Sequence, residues 1–119
     1  MKRILFVDNR PEFMHQPVLR LQLEGFEVDE ATNGEEGFEA LRHGNYDLLI
    51  LDAELPGADG WQVLRDMRAE PEFSGVKVIV LMAGKGETGN LLLVEVDGEL
   101  RRPFTMADLV GTVRRVLEE

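Results

Sequence analysis

The sequence predicts an α/β fold in which a parallel sheet is covered by helices on both faces. Short β-type apolar runs alternate along the chain with amphipathic helical stretches, and this order of elements is typical of that class. Three of the runs, residues 4–7, 48–51 and 76–81, are apolar on both sides, as buried parallel strands are. The length of 119 residues fits one domain with one core, so residues 1–119 are expected to form a single domain.

The remaining elements follow from weaker patterns. Residues 26–31 predict a strand nearer an edge of the sheet, and helical spacing of apolar residues predicts helices over 12–24, 35–43, 61–69 and 105–117. Pro17 removes a backbone donor inside the first of these helices, so a kink or a late start near Gln16 is expected.

The last helix has the clearest pattern. Thr105 is a suitable N-cap, with Asp108 three residues further on. One apolar stripe runs along the helix and consists of Met106, Leu109, Val110, Val113, Val116 and Leu117.

Residues 83–100 have the weakest pattern. Gly84, Gly86, Gly89 and Gly98 each lower helix propensity by about 1 kcal/mol relative to alanine if they lie within a helix. Residues 91–96 fit a strand almost as well as a helix. A fourth helix here is therefore expected to be short, displaced or absent.

Composition excludes several functional classes. The 13 basic and 23 acidic residues give a net charge of −10, which argues against direct binding of nucleic acid. No apolar run approaches the roughly 20 residues that cross a bilayer. The absence of cysteine excludes thiolate chemistry and suits a reducing compartment. The expectation is a free-standing cytoplasmic domain, without a membrane segment, whose partners are proteins.

Two aspartates follow strands that are expected to be neighbours. Asp8 comes after the first strand and Asp52 after the third. In the flavodoxin-like strand order 2-1-3-4-5 these strands lie side by side, and ligands bind at their carboxyl ends. Such a carboxylate pair suits Mg²⁺, which takes one or two carboxylates together with waters and a phosphate. Alternatively, each aspartate merely ends a strand or caps a turn.

Three motifs resemble the receiver domain of two-component response regulators. Residues 47–60, DLLILDAELPGADG, are similar to the family signature, in which an acceptor aspartate precedes Leu-Pro and then Asp-Gly. Residues 6–11, FVDNRP, are similar to its first-strand acidic motif, and residues 102–104, RPF, to its Lys-Pro-Phe motif. The resemblance spans nearly the whole chain and implies a flavodoxin-like, doubly wound sheet of five strands.

The resemblance implies that a histidine kinase or a phosphotransfer protein donates a phosphoryl group to Asp52. It implies Mg²⁺ and no other cofactor, with Asp8, Asp52 and the backbone carbonyl of Glu54 as ligands and Asn9 as a weakened ligand position. The domain would be no enzyme beyond assisting its own phosphorylation and dephosphorylation. A downstream protein partner would bind the face formed by the fourth helix, fifth strand and fifth helix.

Several residues depart from the family pattern. Asn9 replaces a carboxylate, Met82 stands where the family has Ser or Thr, and Arg102 stands in place of the family lysine. A thioether donates no hydrogen bond, and arginine is a planar fork rather than a point charge. Glu99 occupies the position of the family's aromatic switch residue. These changes predict weak binding of Mg²⁺ and impaired or unconventional switching.

The charge of the pocket depends on Arg10. Asp8 and Asp52 against Arg102 sum to −1, and the sum becomes 0 if Arg10 also points inward. The expectation is that Arg10 lies in solvent, as most arginines do. Two functions stay open: a signal-transfer receiver phosphorylated at Asp52, and a phosphorylation-independent pseudo-receiver that serves as a protein-interaction module.

Overall fold

The computed structural model describes residues 1–53, 59–82 and 96–119, and it confirms the predicted α/β fold. In the described residues, five parallel strands form one sheet in the order β2-β1-β3-β4-β5, the predicted flavodoxin-like order. The strands are β1 (Arg3–Val7), β2 (Glu27–Ala31), β3 (Leu48–Asp52), β4 (Lys77–Met82) and β5 (Gly98–Arg101).

The helices begin and end within two residues of their predicted bounds. They are α1 (Pro11–Leu23), α2 (Gly34–His43), α3 (Asp59–Arg68) and α4 (Met106–Leu117), with a 3₁₀ turn at Pro71–Phe73. Helix α4 is the one predicted as the fifth. The predicted fourth helix falls largely on residues 83–95, which lie outside the described residues. In the described part of the chain, no helix has the length and apolar character needed to span a bilayer.

Helix α1 corrects one prediction. It begins at Pro11 and continues past Pro17, so the late start expected near Gln16 is wrong. Pro11 occupies the first turn, where a missing N–H costs nothing. An internal proline costs about 3 kcal/mol. Burial of Met14, Val18 and Leu21 on the same face offsets that cost, because each such side chain contributes about 1.5–3 kcal/mol.

Helix α4 begins as predicted. The Thr105 hydroxyl accepts a hydrogen bond from the Asp108 backbone N–H at 2.9 Å, and the Asp108 carboxylate accepts one from the Thr105 N–H at 3.0 Å. This reciprocal capping box fixes the path of the chain between β5 and α4.

The sheet separates two layers of apolar side chains. Alternate residues of β1 and β3 point to opposite faces: Leu5 and Leu49 pack toward α2 and α3, whereas Phe6 and Ile50 pack toward α1 and α4. Because both faces of these strands are covered, polar groups are left at the ends of the strands. The carboxyl ends of β1 and β3 are therefore the natural place for a site.

Strand β2 is an outer strand and has a different character. Glu27, Asp29 and Glu30 are exposed on it, and Arg3 of β1 lies 3.5 Å from the Glu27 carboxylate and 3.1 Å from that of Asp29. The Tyr46 hydroxyl also donates a hydrogen bond to Asp29 at 2.6 Å. Charge and hydrogen bonding therefore dominate this edge, as expected for a strand covered on fewer sides.

Candidate functional site

Asp8 and Asp52 lie side by side where β1 and β3 end. Val7 is paired with Leu51, so the residues that follow them are neighbours across the sheet. Both side chains are 0% exposed, and in the described residues they are the only buried charged groups. A buried carboxylate is costly unless a cation or hydrogen-bond donors compensate it. The two carboxylates therefore need cations or hydrogen-bond donors close to them.

Arg10 supplies part of that charge. Its Nη2 donates to Asp52 Oδ2 at 2.8 Å, and its Nε lies 3.5 Å from Asp8 Oδ1. The Arg10 backbone N–H also donates to Asp8 Oδ1 at 3.0 Å. The Arg10 Cζ atom stacks 4.6 Å from the centroid of the Phe13 ring in the first turn of α1. The expectation that Arg10 lies in solvent is wrong, since two carboxylates and an aromatic ring hold its side chain.

Arg102 is the second cation beside the two aspartates. Its Nη2 donates to Asp8 Oδ2 at 3.1 Å and lies 3.7 Å from Asp52 Oδ2. The Arg102 backbone N–H donates to the Met82 carbonyl at 2.9 Å, which fixes the residue immediately after β5. Arg102 thus lies beside both aspartates.

The four side chains sum to zero formal charge. Burial, and then the like charge of Asp52, raise the pKa of Asp8 above its ordinary value, although the Arg10 backbone donor and charge act in the opposite direction. Partial burial lowers the pKa of Arg10, but its hydrogen bond to Asp52 and the charges of both aspartates outweigh burial and raise it overall. Arg10 therefore stays charged, and Asp8 is the carboxylate that takes up a proton more readily than an ordinary aspartate.

Two N–H donors in this cluster make no hydrogen bond to any described residue. Arg10 Nε and Arg102 Nη1 are buried and lack a hydrogen-bond partner within residues 1–53, 59–82 and 96–119. A buried donor without an acceptor is unfavourable by about 1–3 kcal/mol. An oxyanion that entered the site would satisfy such donors, because the guanidinium fork matches carboxylate and phosphate oxygens.

The other predicted site residues fall in different surroundings. Asn9 is exposed, immediately after Asp8. Met82 is 2% exposed and packs in the apolar layer that faces α2 and α3. Glu99 is exposed on β5. Glu54, whose carbonyl was predicted as a metal ligand, lies outside the described residues. Sequence reasoning undervalued Arg10, and the available signal was its position directly after Asp8-Asn9 at the end of a strand.

The carboxylate ligands of this site fit Mg²⁺ poorly. In the described ranges, no group of three or more His, Asp or Glu side chains is arranged to hold a metal ion. The two carboxylates that do meet already accept contacts from two guanidiniums. A divalent cation would have to displace Arg10 or share carboxylate oxygens that are already paired with the two arginines.

Comparison with known sequences identifies the family. The family model for the response regulator receiver domain matches residues 4–114. The transcriptional regulatory protein PcoR of Escherichia coli is 32% identical over 117 residues, covering 98% of this chain and 52% of PcoR. The transcriptional regulatory protein ResD of Bacillus subtilis is 30% identical over 118 residues, covering 97% and 48%. The chain thus spans about half the length of these curated relatives.

Solved structures agree. A putative response regulator of Chloroflexus aurantiacus has a TM-score of 0.91 at 27% identity, with 99% of this chain and 98% of that chain covered. The response regulator TrrA of Thermotoga maritima, in complex with Mg²⁺-BeF, has a TM-score of 0.86 at 36% identity, with 98% and 99% covered. The receiver domain of a Pseudomonas aeruginosa sensor histidine kinase, with magnesium coordinated in its active-site cleft, has a TM-score of 0.89 at 26% identity, with 99% and 98% covered. This chain therefore belongs to the response regulator receiver domain family of two-component signalling.

Proposed function

We propose that this domain accepts a phosphoryl group on Asp52 from the phosphohistidine of a histidine kinase or phosphotransfer protein. The observation that carries the proposal is the surroundings of Asp52: a fully buried carboxylate at the end of β3, with guanidinium nitrogens of Arg10 and Arg102 at 2.8 and 3.7 Å. A buried aspartate held by two cations is suited to receive a dianionic group.

The main role of the chain in this reaction is to position Asp52 and the two arginines around the transferred phosphoryl group. A carboxylate oxygen of Asp52 forms a bond to phosphorus as the bond from phosphorus to the donor's histidine nitrogen breaks. Negative charge then lies on the phosphoryl oxygens, where preorganised cations stabilise the transition state. Arg10 and Arg102 are the cations in place to do so. The domain assists its own phosphorylation and dephosphorylation and has no other catalytic role.

The switch that follows is impaired or unconventional. Moving a two-state domain from 1:99 to 99:1 needs about 5.5 kcal/mol of differential stabilisation. Met82 offers no hydroxyl to a phosphoryl group and is packed in the core, and Glu99 is an exposed carboxylate rather than a ring. A downstream protein would bind the face that includes β5 and α4. The conformational change on this face would be smaller than in a receiver domain that has the family's Ser or Thr at position 82 and its aromatic residue at position 99.

A second candidate is a phosphorylation-independent interaction module. The observation that favours it is the charge balance of the site, since the two aspartates and two arginines sum to zero without any added group. In this case the four charged side chains would hold the strand ends together, and the partner would recognise a single conformation.

Intact mass measurement after incubation with acetyl phosphate separates the two candidates. We expect the wild type to gain the mass of one phosphoryl group, and Asp52→Asn to gain none. Asp66→Asn is the matched control, because Asp66 is an exposed carboxylate on α3, and it should be modified like the wild type. An unmodified wild type, both with acetyl phosphate and with a phosphorylated phosphotransfer protein, would support the interaction module instead.

A further inference from the structure

We infer that Arg10 is a built-in cation that takes the place of a divalent metal ion between Asp8 and Asp52. Together with Arg102 it makes the site a receptor for a tetrahedral oxyanion that functions without Mg²⁺. The inference rests on the proposed function only in identifying that oxyanion as the phosphoryl group carried by Asp52.

The position of Arg10 is that of a bridging cation. It contacts carboxylate oxygens of both aspartates, at 2.8 Å for Asp52 Oδ2 and 3.5 Å for Asp8 Oδ1. Three further constraints hold it there: its own backbone N–H on Asp8, the Phe13 ring stacked on the guanidinium, and the start of α1 at Pro11. A surface arginine lacks these constraints, so the geometry points to a fixed component of the site.

The charge balance selects anions over cations. The formal charges of Asp8, Asp52, Arg10 and Arg102 sum to zero, so a divalent ion would bring these four side chains to +2, and Asn9 adds no carboxylate to attract that ion. A phosphoryl group adds roughly −1.5 to −2 charges instead. It also offers acceptor oxygens to a cluster in which Arg10 Nε and Arg102 Nη1 are buried without acceptors in the described residues. The site is therefore preorganised for an oxyanion.

A titration with MgCl₂, in which the amide chemical shifts of Asp8 and Asp52 report binding, tests directly whether Arg10 takes the place of the metal ion. We expect the wild type to bind Mg²⁺ weakly and Arg10→Gln to bind it about tenfold more tightly or better, because a unit charge beside the ion is removed. Arg20→Gln is the matched control, since Arg20 lies within α1, the helix that Arg10 precedes, pairs with Glu24, and should leave Mg²⁺ affinity unchanged. Arg10→Lys keeps the charge and should also bind weakly.

Equal Mg²⁺ affinity in the wild type and Arg10→Gln would overturn the inference. If Arg10→Gln folds poorly, its unfolding temperature with and without MgCl₂ gives the same answer. A rise on adding Mg²⁺ that the wild type does not show supports the inference, and the absence of such a rise opposes it.

Beryllofluoride in the presence of EDTA tests the second part of the inference, that the site binds an oxyanion without Mg²⁺. We expect this phosphoryl mimic to shift the amides around Asp52 of the wild type equally with EDTA and with Mg²⁺, and to shift those of Arg10→Gln only with Mg²⁺. A wild type that responds only with Mg²⁺ would contradict metal independence. If the MgCl₂ titrations behave as expected but acetyl phosphate leaves the wild type unmodified, the proposed function fails and the cation replacement stands.

Discussion

The two ends of β1 each place an arginine between two carboxylates, and the two groups differ mainly in burial. At the amino end, Arg3 pairs with Glu27 and Asp29, whose side chains are 56% and 55% exposed. At the carboxyl end, Arg10 pairs with Asp8 and Asp52, which are 0% exposed.

The difference in burial shows why ion pairs of the same chemistry contribute unequally to the free energy of unfolding. Water screens the exposed group, and such pairs contribute about 0–1 kcal/mol. Removing one partner from a buried group costs about 3–5 kcal/mol, because a desolvated charge is left without compensation. Burial thus makes stability more sensitive to the loss of a single charge at the carboxyl end of β1 than at the amino end.

The largest effect should follow removal of the Arg10 charge. We expect Arg10→Gln to lower the free energy of unfolding by about 2–3 kcal/mol, below the full buried-pair value because the Arg10 side chain is one-third exposed. Urea unfolding at neutral pH without Mg²⁺ measures the loss. If Arg3→Gln cost as much, burial would not be what separates the two ends.

The dependence of stability on pH tests the effect of burial at the carboxyl end of β1, because Asp8 is one of its buried carboxylates. Its pKa is raised by burial and then by the charge of Asp52, so the folded protein holds this proton more tightly than the unfolded chain. The contribution of Asp8 to stability is therefore present below the unfolded value of about 3.8 and lost as pH rises through the raised pKa. We expect Asp8→Asn to gain stability relative to the wild type as pH rises, in urea unfolding at several pH values.

Glu24 provides a control of opposite sign. Hydrogen bonds from Arg114 and then Arg20 lower its pKa, so its contribution is present above the unfolded value and lost as pH falls through the lowered pKa. Glu24→Gln should therefore lose stability relative to the wild type as pH rises. If Asp8→Asn and Glu24→Gln changed in the same direction, the raised pKa of Asp8 would be wrong.

Substitutions in the capping box of α4 test whether exposure alone makes the contribution of an interaction to stability small. Both of its hydrogen bonds are exposed, like the pairs of Arg3, but they join side chains to backbone N–H groups that have no helical partner. We expect Thr105→Ala to cost about 1 kcal/mol in thermal or urea unfolding. Thr105→Ser keeps the hydroxyl and should cost less. Equal losses would indicate that the methyl group matters, not the hydrogen bond.

The smallest effect should be found at the amino end of β1. We expect Arg3→Gln to lower the free energy of unfolding by about 0.5 kcal/mol at low salt. The loss should disappear in about 1 M NaCl, where the screening length is about 3 Å. A loss that persists at high salt would be assigned to the packing of Arg3 on the Tyr46 ring, 4.9 Å from the Arg3 Cζ atom, rather than to charge.

Much of the fold was predictable because its strongest patterns are local. Strands β1, β3 and β4 are apolar on both faces, and α4 combines a stripe with an N-cap. Strand β5 was not located in the sequence, because Gly98–Arg101 is four residues long, carries two charged residues, and has one buried residue, Leu100. The late start of α1 was wrong because burial of its apolar face outweighs the propensity of Pro17.

The site was predictable in part for a related reason. The ends of β1 and β3 in a known strand order place Asp8 and Asp52 together, and the motif before α4 brings Arg102 to them. The direction of the Arg10 side chain has no local pattern, since it depends on two carboxylates 2 and 42 positions away and on the Phe13 ring. Such convergence of residues distant in the chain requires the folded structure.

The acidic surface of β2 has a consequence for how copies of this domain meet. An outer strand exposes backbone groups that can pair with another chain and extend the sheet, which is a common route to aggregation. Two copies that approached through β2 would bring together Glu27, Asp29 and Glu30 of each chain, with one arginine on each side to offset them. Like-charge repulsion between chains of net charge −10 opposes that approach. The acidic residues of β2 therefore help to protect the protein against sheet-to-sheet polymerisation.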